Sequence, residues 1–310
     1  MQLSVRGLRL AQALVEVVPI GVARPAARGI GMLVSRVSSD QRTVVERNLR
    51  RVYGGAVDEA ALARQVRDVF ANYALYWLDS LRVPGMTTRD LDGGLSIEGI
   101  EHLMEPLHAG QGVVAAIPHL GSWEAGARWL SEVQGINVVA AVEKLEPPEL
   151  YEWFVEYRTK ALGIEVVPVD GNASKRLAGA LASGALLTLL CDRDLTGDGV
   201  EVEFFGEVTT LPAGPAMLAL RTGSPLVPLA VYQRGKGHHG RVLQPIEAER
   251  RGRLRDDVQR VTQDLAHSLE ELIRAEPTQW HVLQPNWPSD VEALAERSGR
   301  SGGQSGPRLA

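Results

Sequence analysis

His119 is the residue around which chemistry could be built in this chain. It follows the apolar run Val113-Val114-Ala115-Ala116-Ile117 and Pro118, and it precedes Leu120-Gly121-Ser122-Trp123-Glu124. The run has the length and branching of a buried strand. Proline stops it, and Gly121-Ser122 supplies a turn and an N-cap for a following helix. This places His119 at the carboxyl end of a strand, where open α/β sheets gather their chemistry. Glu124 falls in the first helical turn, where the helix dipole favours an ionised carboxylate. A histidine so placed can act as a general base when a carboxylate fixes its tautomer and stabilises the imidazolium. Glu124 is available for that role, and so are Asp192 and Asp194 of Asp192-Arg193-Asp194, which follows another apolar run. Glu143 ends a third run, and Arg158 in the helix beyond it can pair with a carboxylate or an anionic substrate group. Ionisable residues thus collect at one edge of a sheet, a candidate site by placement alone.

The elements that must position these residues alternate along the chain. Residues 95–98, 113–117, 138–142, 165–169, 185–191, 200–205 and 226–231 read as strands. Residues 124–133, 148–162, 174–182, 213–221 and 254–275 read as helices. The glycine-rich stretch 235–240, which holds His238 and His239, reads as a hairpin tip leading into 241–244. Strands alternating with crossover helices mean an α/β fold, a mostly parallel central sheet flanked by helices. A helical preface comes first: 3–20 and 25–38, split by Pro19 and Pro25, then 41–52 and 58–81. Arg47, Arg50 and Arg51 form a basic stripe on the third of these. Phe70, Tyr73, Ala74, Trp77 and Leu81 recur at helical spacing on the last and read as core. The expected organisation is an N-terminal helical segment 1–85 packed on the core, an α/β domain 86–295, and a disordered tail 296–310.

Composition excludes several classes. The 310 residues can bury an ample core, and 45% hydrophobic with 23% charged residues is ordinary for a globular protein. A net charge of −5, with no basic run interleaved with aromatics, argues against nucleic-acid binding. Cys191 is alone, which rules out an intramolecular disulfide, and its place at a strand end reads as buried. No apolar run is long enough to span a bilayer, and no signal peptide is recognisable, so cytoplasmic residence is the default. There is no H-E-x-x-H, G-x-S-x-G, Walker loop or strand-linked G-x-G-x-x-G, and no metal is expected. Charge is nonetheless uneven. Residues 1–55 carry nine arginines against Glu16, Asp40 and Glu46, among Leu8, Leu10, Leu14, Val15, Val17, Val18, Ile20 and Val22. Such a segment can lie on an anionic membrane surface or form core helices with solvated arginines, and the two readings are compatible.

Four stretches in order carry a resemblance. His119-Leu120-Gly121-Ser122-Trp123-Glu124 is similar to the H-x4-D/E signature of the bacterial lipid acyltransferases that include the late lipid A enzymes. Val142-Glu143-Lys144-Leu145-Glu146-Pro147 leads to Phe154-Val155-Glu156-Tyr157-Arg158. Cys191-Asp192-Arg193-Asp194-Leu195-Thr196 leads to Val202-Glu203-Phe204-Phe205-Gly206 and Pro212-Ala213-Gly214-Pro215. Trp280-His281-Val282-Leu283-Gln284-Pro285-Asn286-Trp287 closes the domain. Together they resemble the actinobacterial phosphatidylinositol mannoside acyltransferases over roughly residues 5–290.

The resemblance implies transfer of a fatty acyl chain, palmitoyl in the usual case, from acyl-CoA to a mannose hydroxyl, with no permanently bound cofactor. His119 would be the general base and Glu124 the second motif residue. The family's orienting glutamate falls on Asp192, one methylene shorter, which leaves open which carboxylate contacts His119. Glu143, Arg158, Arg193 and Asp194 would line the substrate groove, with Arg193 or the Pro212-Ala213-Gly214 turn as candidates for the coenzyme A phosphates. The partners implied are acyl-CoA, a phosphatidylinositol mannoside and an anionic membrane, with the protein peripheral on its cytoplasmic face. Acylation of another lysophospholipid or glycolipid, and an inactive lipid-binding protein, are the alternatives.

Overall fold

The computed structural model describes residues 5–55, 57–143 and 147–299. Lys144, Leu145 and Glu146 of the second motif lie outside the described residues, as does the expected tail from 300 onward. Five helices come first: α1 (Val5–Val17), α2 (Ile20–Val37), α3 (Ser39–Val52), α4 (Glu59–Arg82) and α5 (Thr88–Gly94). Alternation then begins with β1 (Leu95–Glu98), α6 (Glu101–His108), β2 (Val113–Ile117), α7 (Trp123–Glu132) and β3 (Val138–Val142). It continues through α8 (Pro148–Glu156), β4 (Glu165–Pro168), α9 (Ala173–Ala182) and β5 (Leu186–Leu190). A small hairpin, β6 (Val200–Phe204) and β7 (Glu207–Leu211), precedes α10 (Gly214–Thr222), β8 (Leu226–Arg234) and β9 (Gly237–Val242). The helices α11 (Leu254–Ala275) and α12 (Pro288–Arg297) complete the chain.

Seven strands form one sheet in the order β1-β9-β8-β2-β5-β3-β4, parallel throughout except for the β8–β9 pair. The α/β architecture with an N-terminal helical segment is therefore observed. β2 lies centrally between β8 and β5 and is buried at every position. Its period-2 alternation feeds two apolar layers. Val114 and Ala116 pack with α10 and α11 on one face, while Val113, Ala115 and Ile117 pack with α6 and α7 on the other. The second layer also takes Leu8, Leu81 and Val83, so the helical preface is continuous with the core.

Several local expectations are corrected. Pro25 lies inside α2 and does not break it. The carbonyl it leaves without a partner belongs to Gly21, and both residues are exposed, so water can serve it. The stretch with His238 and His239 is not a hairpin tip but strand β9, with the turn at Gly235-Lys236. Its glycines permit close approach: a Cβ on Gly237 would stand 2.2 Å from the Gly94 carbonyl oxygen. Glycine here serves backbone contact, which composition cannot distinguish from a turn. The strand β7 and the helices α5, α6 and α12 were not foreseen. Glu296 and Arg297, placed in the tail by the sequence reading, end α12.

The basic stripe of α3 clamps the chain's end to its beginning. Arg47 Nε and an Arg51 Nη reach Asp290 Oδ1 at 2.6 and 2.7 Å, and Arg51 stacks 4.0 Å over the Trp287 ring. Asp290 is fully buried. Asp290→Ala removes the carboxylate that Arg47 and Arg51 share, leaves Arg51 to Glu207, and is expected to cost about 2–3 kcal/mol in denaturant unfolding. Lys160→Ala, at an exposed i,i+4 pair with Glu156, is expected to cost about 0–1 kcal/mol in the same measurement.

Candidate active site

β2 and β5 are neighbours in register, with Ile117 opposite Leu190. Two residues past each partner stand His119 and Asp192, so the register alone brings them level at the sheet's carboxyl edge. Asp192 Oδ1 meets His119 Nδ1 at 2.6 Å. Asp192 Oδ2 accepts the His119 backbone N–H at 3.0 Å and the Trp280 indole N–H at 2.7 Å. The Asp192 backbone carbonyl accepts from the Asn286 amide at 2.9 Å. Asp192 is 0% exposed. Burial pushes its pKa upward, but the His119 charge and the bonds from His119 and Trp280 outweigh burial and hold the carboxyl below its ordinary range. The carboxylate in contact with His119 is Asp192: the shorter side chain reaches because its strand delivers it directly against the ring. With Nδ1 so engaged, Nε2 is the nitrogen left for a reacting group, on a side chain that remains 33% exposed.

The turn carrying His119 is braced by its own amides. Leu120 N–H donates to Pro118, Gly121 N–H to Gln279 and Ser122 N–H to Val231. The three amides after the histidine are therefore committed, whereas the first N–H groups of α7 have no side-chain cap. Gly121 adopts φ +62° and packs so closely on Val231 that a Cβ would stand 1.9 Å from its carbonyl oxygen. Ser122 occupies the N-cap position of α7 without capping it. Its hydroxyl turns instead toward Asp79 on α4, at 3.4 Å, and accepts from Gln233 at 3.1 Å.

Glu124 lies in the first turn of α7, as its spacing predicts, but makes no hydrogen bond to His119. Tyr76 of α4 donates to its Oε1 at 2.9 Å, and Oε2, buried, has no partner. Burial raises the Glu124 pKa, against the opposing charge of Arg158. Arg158 occupies a π-helical turn, Tyr157–Ala161, that ends α8, a feature that accumulates at functional sites. Its guanidinium lies 5.3 Å from the Trp123 ring centroid and 5.4 Å from that of Phe154, with Nε buried and unpartnered.

Glu143, half-buried beyond β3, is raised by burial and opposed by the Arg193 charge. Arg193 is lowered by burial, with Asp192 and Glu143 pulling the other way, and it donates to Gln284. Asp194 differs. Its oxygens accept from Thr196, Gly197, Gly199 and Thr210, so its carboxylate closes its own loop onto β7. An apolar cavity of about 40 Å³ lies between sheet and helices, lined by Ala115, Ile117, Trp123, Leu186, Leu229 and Val231 among others.

Trp280, His281 and Tyr76 were not singled out individually by sequence. Trp280 and His281 sit within the fourth resembling stretch, which carried no spacing signal of its own. Tyr76 lies one position from the Trp77 of the aromatic stripe read as core. Phe70 is core, but Tyr73 and Trp77 are only partly buried, and Tyr73 and Tyr76 pack at 5.4 and 5.2 Å on His281. The backbone N–H of His281 donates to the His119 carbonyl at 2.7 Å.

Burial, together with the His119 charge, holds His281 down to about 3, from an ordinary 6.5. Between those values the unfolded chain binds a proton that the folded chain refuses. The stability contributed is complete above pH 6.5 and is lost as pH falls toward 3. Urea unfolding at neutral and mildly acidic pH is expected to show a smaller acid loss for His281→Gln than for the unaltered protein. Equal losses would show that this imidazole titrates normally.

A sequence profile described as bacterial lipid A biosynthesis acyltransferase matches residues 9–289. A protein of Mycolicibacterium smegmatis named phosphatidylinositol mannoside acyltransferase is 38% identical over 303 residues, 96% of this chain and 93% of that protein. A Mycobacterium tuberculosis protein of the same name is 36% identical over 255 residues, covering 80% and 77% of the two chains. The histidine and buried carboxylate at adjoining strand ends thus belong to a chain that is a member of the bacterial lipid A biosynthesis acyltransferase family.

Proposed function

We propose that this protein transfers a fatty acyl chain, palmitoyl, from acyl-CoA to a mannose hydroxyl of a phosphatidylinositol mannoside. The observation that carries the reading is the His119–Asp192 pair at the carboxyl ends of the adjoining strands β2 and β5. A sugar hydroxyl is a poor nucleophile at neutral pH, so a positioned base is required. His119 Nε2 takes the hydroxyl proton as the oxygen attacks the thioester carbonyl. Asp192 holds the ring by Nδ1 and balances the imidazolium. The tetrahedral intermediate collapses with C–S cleavage, and the imidazolium returns its proton to the departing thiolate. No covalent enzyme intermediate is needed.

Arg158 and Arg193 carry the free cationic capacity near His119. They and the uncapped N–H groups at the start of α7 are the donors for the developing oxyanion or the coenzyme A phosphates. Glu143 and Glu124, whose Oε2 has no partner, are the carboxylates we assign to sugar hydroxyls. Asp194 is better read as a clasp on its loop than as a substrate contact. The apolar cavity lined by Ile117, Trp123 and Leu229 receives part of the acyl chain.

The outer face of the helical preface supports a peripheral place on the cytoplasmic face of an anionic membrane. Leu10, Leu14 and Val17 on α1 are exposed, as are Val22, Ile30, Leu33 and Val37 on α2. Residues 22, 30, 33 and 37 fall within one quadrant of the helix at 100° per residue. Exposed apolar residues so aligned, beside arginines, suit a lipid surface. No helix among the described residues is long and apolar enough to cross a membrane.

Mass spectrometry with palmitoyl-CoA and a panel of acceptors tests the assignment: phosphatidylinositol mannoside, lysophosphatidate and a lipid A-like disaccharide. Transfer to the first is expected, and its absence would overturn the acceptor proposed. His119→Ala and Asp192→Asn are each expected to lose about 10⁴-fold in turnover with folding intact. Retained transfer in His119→Ala would remove the base mechanism. Leu14→Ser/Leu33→Ser is expected to weaken sedimentation with vesicles, and unchanged binding would show that the exposed ridges do not dock.

A further inference from the structure

A second cavity, of about 400 Å³, opens between α2, α3 and α4, and none of its lining residues belongs to the site around His119. Leu62 and Val66 of α4 contribute apolar walls, and Arg36, Arg42 and Arg67 converge on it from the three helices. Two carboxylates also line it, Glu46 and Glu59, but both are already held. Arg50 reaches Glu46 at 3.0 Å and forks onto the two oxygens of Glu59 at 2.9 and 2.8 Å. Arg42 donates one hydrogen bond, to the Ser35 carbonyl at 3.3 Å. No carboxylate is recorded within ion-pair distance of Arg36, Arg42 or Arg67 among the described residues. With Arg50 counted, four guanidinium groups face the two carboxylates, and an anion seated between Arg36, Arg42 and Arg67 offsets the remaining positive excess.

The cavity's position narrows the class of anion. Arg36 follows Leu33 by three residues, within one turn of α2, and adjoins Val37 in the chain. Leu33 and Val37 are 61% and 81% exposed. An anion held here therefore lies beside the apolar ridge. A phosphodiester whose attached chains continue along Leu33 and Val37 matches both features, whereas a free anion uses only the guanidinium groups. Guanidinium forks suit phosphate oxygens.

We propose that this cavity is a headgroup site for an anionic phospholipid, its phosphodiester bound by Arg36, Arg42 and Arg67. The proposal rests on the membrane reading above and adds to it a defined lipid seat apart from the acyl-transfer site. It makes attachment depend on particular arginines rather than on total charge.

The test is sedimentation of the full chain with phosphatidylcholine vesicles, with and without phosphatidylglycerol. Calorimetry with soluble glycerophosphoglycerol and with inorganic phosphate accompanies it. Arg36→Gln/Arg67→Gln is expected to lose about fivefold in affinity per arginine, roughly 25-fold together, for the phosphatidylglycerol vesicles. Arg36→Lys/Arg67→Lys is expected to recover part of that loss. The charge-matched Arg64→Gln/Arg89→Gln, exposed and outside the cavity, is expected to lose far less. Equal losses in the two glutamine pairs would overturn the site in favour of diffuse attraction. Inorganic phosphate binding as tightly as glycerophosphoglycerol would overturn the lipid as its ligand. If the cavity pair changes nothing while Leu14→Ser/Leu33→Ser abolishes sedimentation, the headgroup site fails and the membrane reading stands. If the unaltered chain binds neither vesicle, both fail.

Discussion

A carboxylate with no access to water governs the layout of this protein. Asp192 must remain charged to hold His119, and a buried charge is tolerated only when its oxygens are answered. They are answered by two groups of His119 and by the indole of Trp280. The ligands come from the end of β2 and from the segment after α11, so a single ion ties together three stretches far apart in the chain. His119 is in turn held at its carbonyl by His281. The histidine is fixed at backbone and ring, and Nε2 is the freedom that remains.

The same turn is held by its own backbone. Its amides brace the turn against β8 and the Gln279 segment, so they are not available to a substrate. Around it stand buried or half-buried groups with atoms left unpartnered: Glu124 Oε2, Arg158 Nε and Arg193 Nε. Unmet capacity of this kind is costly in a core and is ordinary in a site that receives a polar ligand.

The helical preface is part of that site rather than an appendage to it. Tyr76 reaches Glu124, Asp79 faces the Ser122 hydroxyl, and Leu8 and Leu81 join the layer beneath the sheet. Its inner face packs on the candidate site while its outer face exposes aligned apolar residues. Arg47 and Arg51 fasten it to α12 through Asp290. A helical segment bonded at both ends of the α/β layer can hold the active-site mouth in a defined relation to whatever its outer face touches.

The amino-acid sequence by itself determined the alternation of strands and helices, because burial on two faces leaves apolar runs and crossover helices leave their period. It also determined that His119 ends a strand, since a run, a proline and a Gly-Ser turn are local signals. The partner of His119 was not local. Glu124, Asp192 and Asp194 were all eligible by type and placement, and the β2–β5 register singled out Asp192. Asp194 shares the same strand end yet faces its own loop, a difference that depends on side-chain direction. Trp280, His281 and Tyr76 joined the candidate site only through packing, as indole, imidazole and phenol carry no period or spacing that marks them. Glycines misled at β9 for a related reason: a turn and a close backbone approach demand the same residue, and only the neighbouring strand shows which demand applies.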